Sequence, residues 1–144
     1  MEADDEGRGR SLSRGSITVV RVLIDTSTFV WIISRPTRLS REAVRLLKRP
    51  DTVRELSTLC LTELAVKIQA RKLHVTKEQI RQNIEAARIQ VLPYNAAHAY
   101  AYFDLPEHHH DPFDRQLIAQ AIAENIPIIT PDEAFEQYPV KTIW

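Results

Sequence analysis

A chain of 144 residues with zero formal net charge, 44% apolar and 26% charged residues has the make-up of one globular unit with its own core. That balance excludes a largely disordered chain, and the single cysteine, Cys60, excludes an internal disulfide framework, so a reducing, cytoplasmic setting is expected. No apolar run approaches the roughly 18 residues of a bilayer span, and the N-terminus lacks the basic-then-apolar order of a signal peptide, so no membrane role is expected.

Residues 1–16, MEADDEGRGRSLSRGS, mix Gly, Ser and both charges without a hydrophobic period and read as a disordered tail before a folded domain over residues 17–144. Met1 is the only methionine, and a non-AUG start near Val19 or Val20 is the alternative to a native tail. ITVVRVLID, ending at Asp25, is β-branched with few polar interruptions, which suits a strand buried on both faces of a parallel sheet. A short helix is expected from Ser27 to Ile33. A second begins at Ser40 as N-cap, puts Ala43, Leu46 and Leu47 on one face and stops before Pro50.

Residues 53–60 are a weaker strand candidate, and LTELAVKIQARKL repeats Leu61, Leu64, Ala65 and Ile68 at helical spacing. In TKEQIRQNIEAA, Thr76 and Gln79 form a capping-box pair that opens another helix. A short strand over Arg88–Leu92 leads to the alanine-rich helix NAAHAYAYFDLP, ended near Pro106. The last helix starts at Pro112, the strand IPIIT follows, EAFEQY reads as a short helix, and KTIW as an edge strand. Alternating helices and nearly all-apolar strands imply an α/β fold, a three-layer α/β/α sandwich around a small central parallel sheet.

In such sheets ligands bind at the carboxyl ends of the strands. Four acids fall there: Asp25 closing the first strand, Glu63 in the first turn of the helix after the second, Asp114 early in the last helix, and Asp132 two residues after IPIIT. Asp114 lies three and four residues before Leu117 and Ile118 and shares their buried face, where an unpaired carboxylate is costly to desolvate, although the helix N-terminus offsets part of that cost. A cation held by several such acids resolves the cost, and hard oxygen donors favour Mg²⁺ or Mn²⁺ over zinc. Local roles compete. Asp111 reads best as an N-cap, Glu63 stands four residues before Lys67, and Asp132 is placed to cap EAFEQY, whereas Asp25 has no local role that explains it.

His108, His109 and His110 lack the spacing of a zinc site and read as a solvated rim, with His109 or His110 as a weak candidate for a phosphate contact. His74 and His98 read as ordinary surface or core residues. Charge is uneven along the chain. Residues 35–88 hold thirteen Lys or Arg against six acids, and residues 89–144 hold two basic residues against eight acids.

VLIDT, LTELAVK, DPFDRQLIAQA and ITPDEAF, in that order and followed by a short final strand, resemble the PIN-domain nucleases, and most closely the VapC-type ribonuclease toxins of prokaryotic toxin–antitoxin pairs, over about Val20–Trp144. The resemblance implies that Asp25, Glu63, Asp114 and Asp132 bind catalytic Mg²⁺ or Mn²⁺. Thr26 and Thr130 then support them by hydrogen bonds, with Asp111 beside them as cap. It further implies an RNA substrate, homodimers, and a cognate antitoxin whose C-terminal segment wraps over the active site. Thr62 stands where the family often has an aromatic residue, Ser27 where it often has histidine, and Pro131 before Asp132 fixes its own φ, which can re-aim that acid.

The expected activity is metal-dependent hydrolysis of RNA, with Arg35, Arg38, Arg41, Arg45, Lys67, Arg71 and Lys72 as candidates to grip the phosphates that the acids repel. The alternative is a catalytically inactive PIN-fold module that binds RNA or docks a protein. A metal-dependent phosphatase or a phosphate-accepting receiver domain is a third class. A receiver needs an acidic pair near the end of the first strand, and LIDT has one acid.

Overall fold

The run that opens the domain forms β1, Val20–Ile24, at the centre of a five-stranded sheet in a computed structural model that describes residues 20–144. The expected tail over 1–16, and Ile17–Val19 of the expected first strand, lie outside the described residues. Val22, Leu23 and Ile24 are fully buried, and β1 has a neighbour on each side, β2 (Thr52–Ser57) and β4 (Ile128–Ile129), both parallel to it. β3 (Gln90–Leu92) pairs with β2, and β5 (Thr142–Ile143) with β4, so the order is β3-β2-β1-β4-β5 and every pair is parallel. The expected edge position of KTIW is the observed one.

Parallel neighbours require crossover connections, and six helices supply them on both faces. α1 (Thr26–Ser34) and α2 (Arg41–Lys48) join β1 to β2, with a 3₁₀ turn at Pro36–Arg38 between them. α3 (Thr58–Gln69) and α4 (Lys77–Ala86) join β2 to β3, and α5 (Ala96–Phe103) and α6 (Pro112–Glu124) join β3 to β4. Val22 and Ile129 pack with Ala43 and Leu46 of α2 on one face. Leu23, Leu56 and Ile128 belong to the larger core that includes Leu64 of α3 and Leu117, Ile118 and Ala121 of α6. Among the described residues no helix is long and apolar enough to cross a membrane.

Two boundaries differ from expectation for reasons of capping. The strand expected over 53–60 stops at Ser57, whose hydroxyl accepts from the Leu59 backbone N–H at 3.0 Å and starts α3 at Thr58. Glu63 therefore sits in the second turn of α3, not the first. The helix also ends at Gln69 instead of running to Leu73, and Arg71 beyond it adopts a left-handed φ of 61°.

The two charged residues of β2 are paired. Arg54 donates to the carbonyls of Ala87 and Leu47, and the buried Glu55 takes a two-pronged contact from Arg21 at 2.7 and 2.9 Å. Arg21 also reaches Glu124, whose other oxygen lies 2.7 Å from His98 Nε2. His98 is a core residue: its Nδ1 accepts from the Asn95 backbone N–H while Asn95 caps α5, so Nε2 carries the proton toward Glu124.

Candidate active site at the carboxyl edge of the sheet

The chain builds β2 and β3 on one side of β1 and then returns to lay β4 on the other, so the connections leaving β1 and β4 part in opposite directions. This switch point opens a crevice at the carboxyl ends of the two strands, the ordinary ligand position in open α/β sheets. Asp25 and Thr130 are the residues immediately after β1 and β4, and the Thr130 hydroxyl donates to Asp25 Oδ2 at 2.5 Å across the crevice. The other oxygen of Asp25 accepts from the Thr28 backbone N–H at 2.8 Å and N-caps α1. Asp25 thus has a local structural role after all, contrary to the sequence-based expectation. A strand that turns directly into a helix makes its last residue the cap.

Glu63 reaches the same edge from α3. Its Oε1 accepts from the Thr26 hydroxyl at 2.6 Å, and its Oε2 lies 3.0 Å from Lys67 Nζ one turn on. Asp111 caps α6, accepting from the N–H groups of Phe113 and Asp114 at 3.0 Å each, and Pro112 takes the first helical position. That cap sets Asp114 in the first turn of α6, its Oδ2 3.5 Å from His109 Nε2. Asp132 accepts from the Ala134 N–H at 2.9 Å and caps the 3₁₀ turn Glu133–Gln137, and its own N–H donates to Thr130 Oγ1 at 3.1 Å. Pro131 leaves this short Thr130–Asp132 turn intact.

The electrostatics tie these acids together. Burial pushes the Asp25 carboxyl up from its ordinary value, the hydrogen bonds from Thr130 and Thr28 pull it back, and the charge of Asp132 raises it further. Asp114 is pushed up to about 7, first by burial and then by the charges of Asp111, Glu63, Asp132 and Asp25. Asp114 therefore lies within the fields of Asp25, Glu63 and Asp132, carboxylates from three other segments. Cys60, fully buried near Asp25 and Glu63, has its thiol pushed up to about 12 chiefly by burial, so it offers no thiolate.

As the side chains stand, no three His, Cys, Asp or Glu among the described residues converge closely enough to hold an ion. Repulsion explains the spread: each acid turns an oxygen to a local partner, Asp132 to Ala134, Glu63 to Lys67 and Asp114 toward His109. The donor set is all oxygen, which suits a hard divalent cation, and the upward push on Asp114 is what a bound cation relieves.

Sequence reasoning missed a polar hub behind Asp114. Arg115, Tyr138 and His109 meet at the Tyr138 hydroxyl, and Arg115 also donates to the Pro106 carbonyl at 2.9 Å, pinning the segment before α6. The signal available was the arginine directly after Asp114, which a helix start on a buried face has no local reason to contain. Of the basic candidates, Lys67 reaches the Glu63 carboxylate, Arg45 is turned to Glu42 at 2.5 Å, and Arg38 lies over the Trp31 ring.

The family model described as PIN domain matches residues 22–141. This chain belongs to the PIN-domain family. PIN domains are generally nucleases. Among solved structures, VapBC2 from Rickettsia felis bound to a promoter DNA fragment matches with a TM-score of 0.66 at 18% identity, covering 85% of this chain and 97% of that one. DNA-bound VapBC from Salmonella typhimurium matches with a TM-score of 0.62 at 19% identity, over 86% and 97% of the two chains. FitAB bound to the IR36 DNA fragment matches with a TM-score of 0.56 at 20% identity, over 84% and 92%. No curated protein matches the chain. At these identities the likeness establishes the PIN fold.

Proposed function

We propose that this PIN domain is a Mg²⁺- or Mn²⁺-dependent endoribonuclease, acting as the VapC-type toxin of a toxin–antitoxin pair in the cytoplasm. One observation carries the activity: Asp25, Glu63, Asp114 and Asp132 come from four segments to the carboxyl edge of the sheet, where burial and the other acids push Asp114 up to about 7, a cost of ionisation that a bound cation would offset. Asp25, Glu63, Asp114 and Asp132 would hold the metal. Bound there, it supplies Lewis-acid activation of water and of the scissile phosphodiester.

The protein's own groups do the remainder. The Thr130 hydroxyl and the Thr28 N–H fix both oxygens of Asp25, and the Thr26 hydroxyl fixes Glu63, so the acids are oriented before substrate arrives. Carboxylates repel phosphates, so the RNA backbone is attracted by basic residues, of which Lys67 stands beside the site. A cognate antitoxin and a second copy of the chain are the proposed protein partners. The solved assemblies of similar fold, VapBC and FitAB, support the antitoxin partner.

The test is cleavage of a panel of RNAs by purified protein with Mg²⁺, with EDTA, and with Asp25→Asn or Asp114→Asn. Activity is expected for the wild type with Mg²⁺ and in none of the other conditions. Cleavage by both variants rejects the assignment, and wild-type inactivity across the panel favours a binding module without catalysis. For the toxin role, expression is expected to halt growth, and co-expression of a small protein encoded beside it to restore growth.

A further inference from the structure

Three N–H donors converge on one oxygen at the back of the site. The Tyr138 hydroxyl lies 3.2 Å from the backbone nitrogen of His108, 3.2 Å from that of His109 and 3.1 Å from Arg115 Nη1, and a fourth nitrogen, His109 Nδ1, stands at 2.7 Å. A phenolic oxygen has two lone pairs and one proton to give. Three donors already exceed its accepting capacity, so the short fourth contact has the Tyr138 O–H donating to an unprotonated Nδ1. The His109 ring is thereby held as the tautomer with its proton on Nε2.

That Nε2–H is buried and has no hydrogen-bond partner among the described residues, and Asp114 Oδ2 lies 3.5 Å away, just beyond bonding distance. A buried donor without a partner is unfavourable, so the ring gains from an acceptor brought within reach. His109 is anchored at two points, its backbone N–H and its Nδ1, to the same tyrosine oxygen, while Arg115 fixes that oxygen and the Pro106 carbonyl from the α6 side. The ring therefore points at Asp114 without freedom to swing away. Its neighbours differ: His110 is exposed, and His108 uses its backbone N–H on Tyr138 and stacks edge-on to the ring.

We infer that His109 is a positioning residue for metal binding: its Nε2–H, oriented by Tyr138, is poised to close on Oδ2 of Asp114 when the cation binds, which leaves the other carboxylate oxygen to the metal. This rests on the metal-dependent reading above. Outer partners of this kind typically carry 10–100-fold of metal affinity.

The test measures Mn²⁺ binding to the full chain by calorimetry, with urea unfolding in EDTA to show that each variant folds. His109→Ala and His109→Asn are expected to weaken Mn²⁺ binding by about 10–100-fold. Asparagine reproduces the Nδ1 position and lacks the outer donor. His109→Gln places an amide N–H near the Nε2 position and is expected to retain binding within about 3-fold of wild type, well short of that loss. Nitrogen NMR of the wild type without metal is expected to show His109 protonated at Nε2 and bare at Nδ1.

Wild-type affinity in the alanine or asparagine variant, a glutamine variant as weak as alanine, or a proton on Nδ1 each overturns the inference while the metal-dependent reading stands. A wild type that binds no Mn²⁺ overturns both.

Discussion

Replacing Asp114 with asparagine removes a charge and keeps the shape, and the structure fixes the sign of the effect on stability. The Asp114 carboxyl moves from an ordinary 3.8 to about 7 in the folded chain, driven by burial and then by the neighbouring acids. The folded state thus holds this proton more tightly than the unfolded state does. Stability from this group is full below about pH 4 and is lost as pH rises through about 7. The interval corresponds to a ceiling of about 4 kcal/mol. Because the side chain keeps 24% of its surface in solvent, screening reduces this to about 1–2 kcal/mol.

Asparagine is neutral throughout and keeps an oxygen on the side of His109. In EDTA, Asp114→Asn is therefore expected to be more stable than wild type at pH 8 by about 1–2 kcal/mol, an advantage that grows from pH 4 to 7 and then levels. Urea titrations at intervals across that range measure it. With millimolar Mn²⁺ the order is expected to reverse, because only the wild-type fold gains binding free energy. Equal stabilities at pH 8 without metal, or a gap that ignores pH, would refute the reasoning.

Thr130→Val keeps the volume but deletes the donor to Asp25 and the acceptor of the Asp132 N–H. A loss of about 1–3 kcal/mol in urea unfolding at pH 7 is expected, with weaker Mn²⁺ binding by calorimetry. Arg21→Met strands Glu55, 5% exposed, without its guanidinium partner. Since Arg21 itself is partly solvated, about 2–3 kcal/mol of destabilisation is expected, below the full cost of breaking a wholly buried pair. Mn²⁺ affinity is expected to stay at the wild-type level, because Arg21 lies at the amino end of β1 and the acids at its carboxyl end.

Local chemistry written in the chain determined most of the elements. The apolar run before Asp25, the Thr76–Gln79 capping pair and the Asp111–Pro112 helix start all form as their residues dictate, because caps and periodicity act over a few residues. The same locality misled after Ser57, the last residue of β2, which also caps α3 where the strand was expected to run to residue 60, and at Asp25, whose capping role depends on α1 starting at Thr26 with no intervening loop. The four acids were legible because parallel strands alternating with helices send every strand end to one edge.

Strand order was not written locally. That β4 lies beside β1, bringing Thr130 to Asp25 across 105 positions of sequence, depends on which faces bury against which. The interplay of His109, Tyr138, Arg115 and Asp114 was equally invisible, since Tyr138 joins from 29 residues beyond His109 and no spacing rule links them. The sequence by itself determined which acids are candidates for the chemistry. The tertiary structure decided which of them face each other, because hydrogen bonds and Coulomb interactions depend on distance in space.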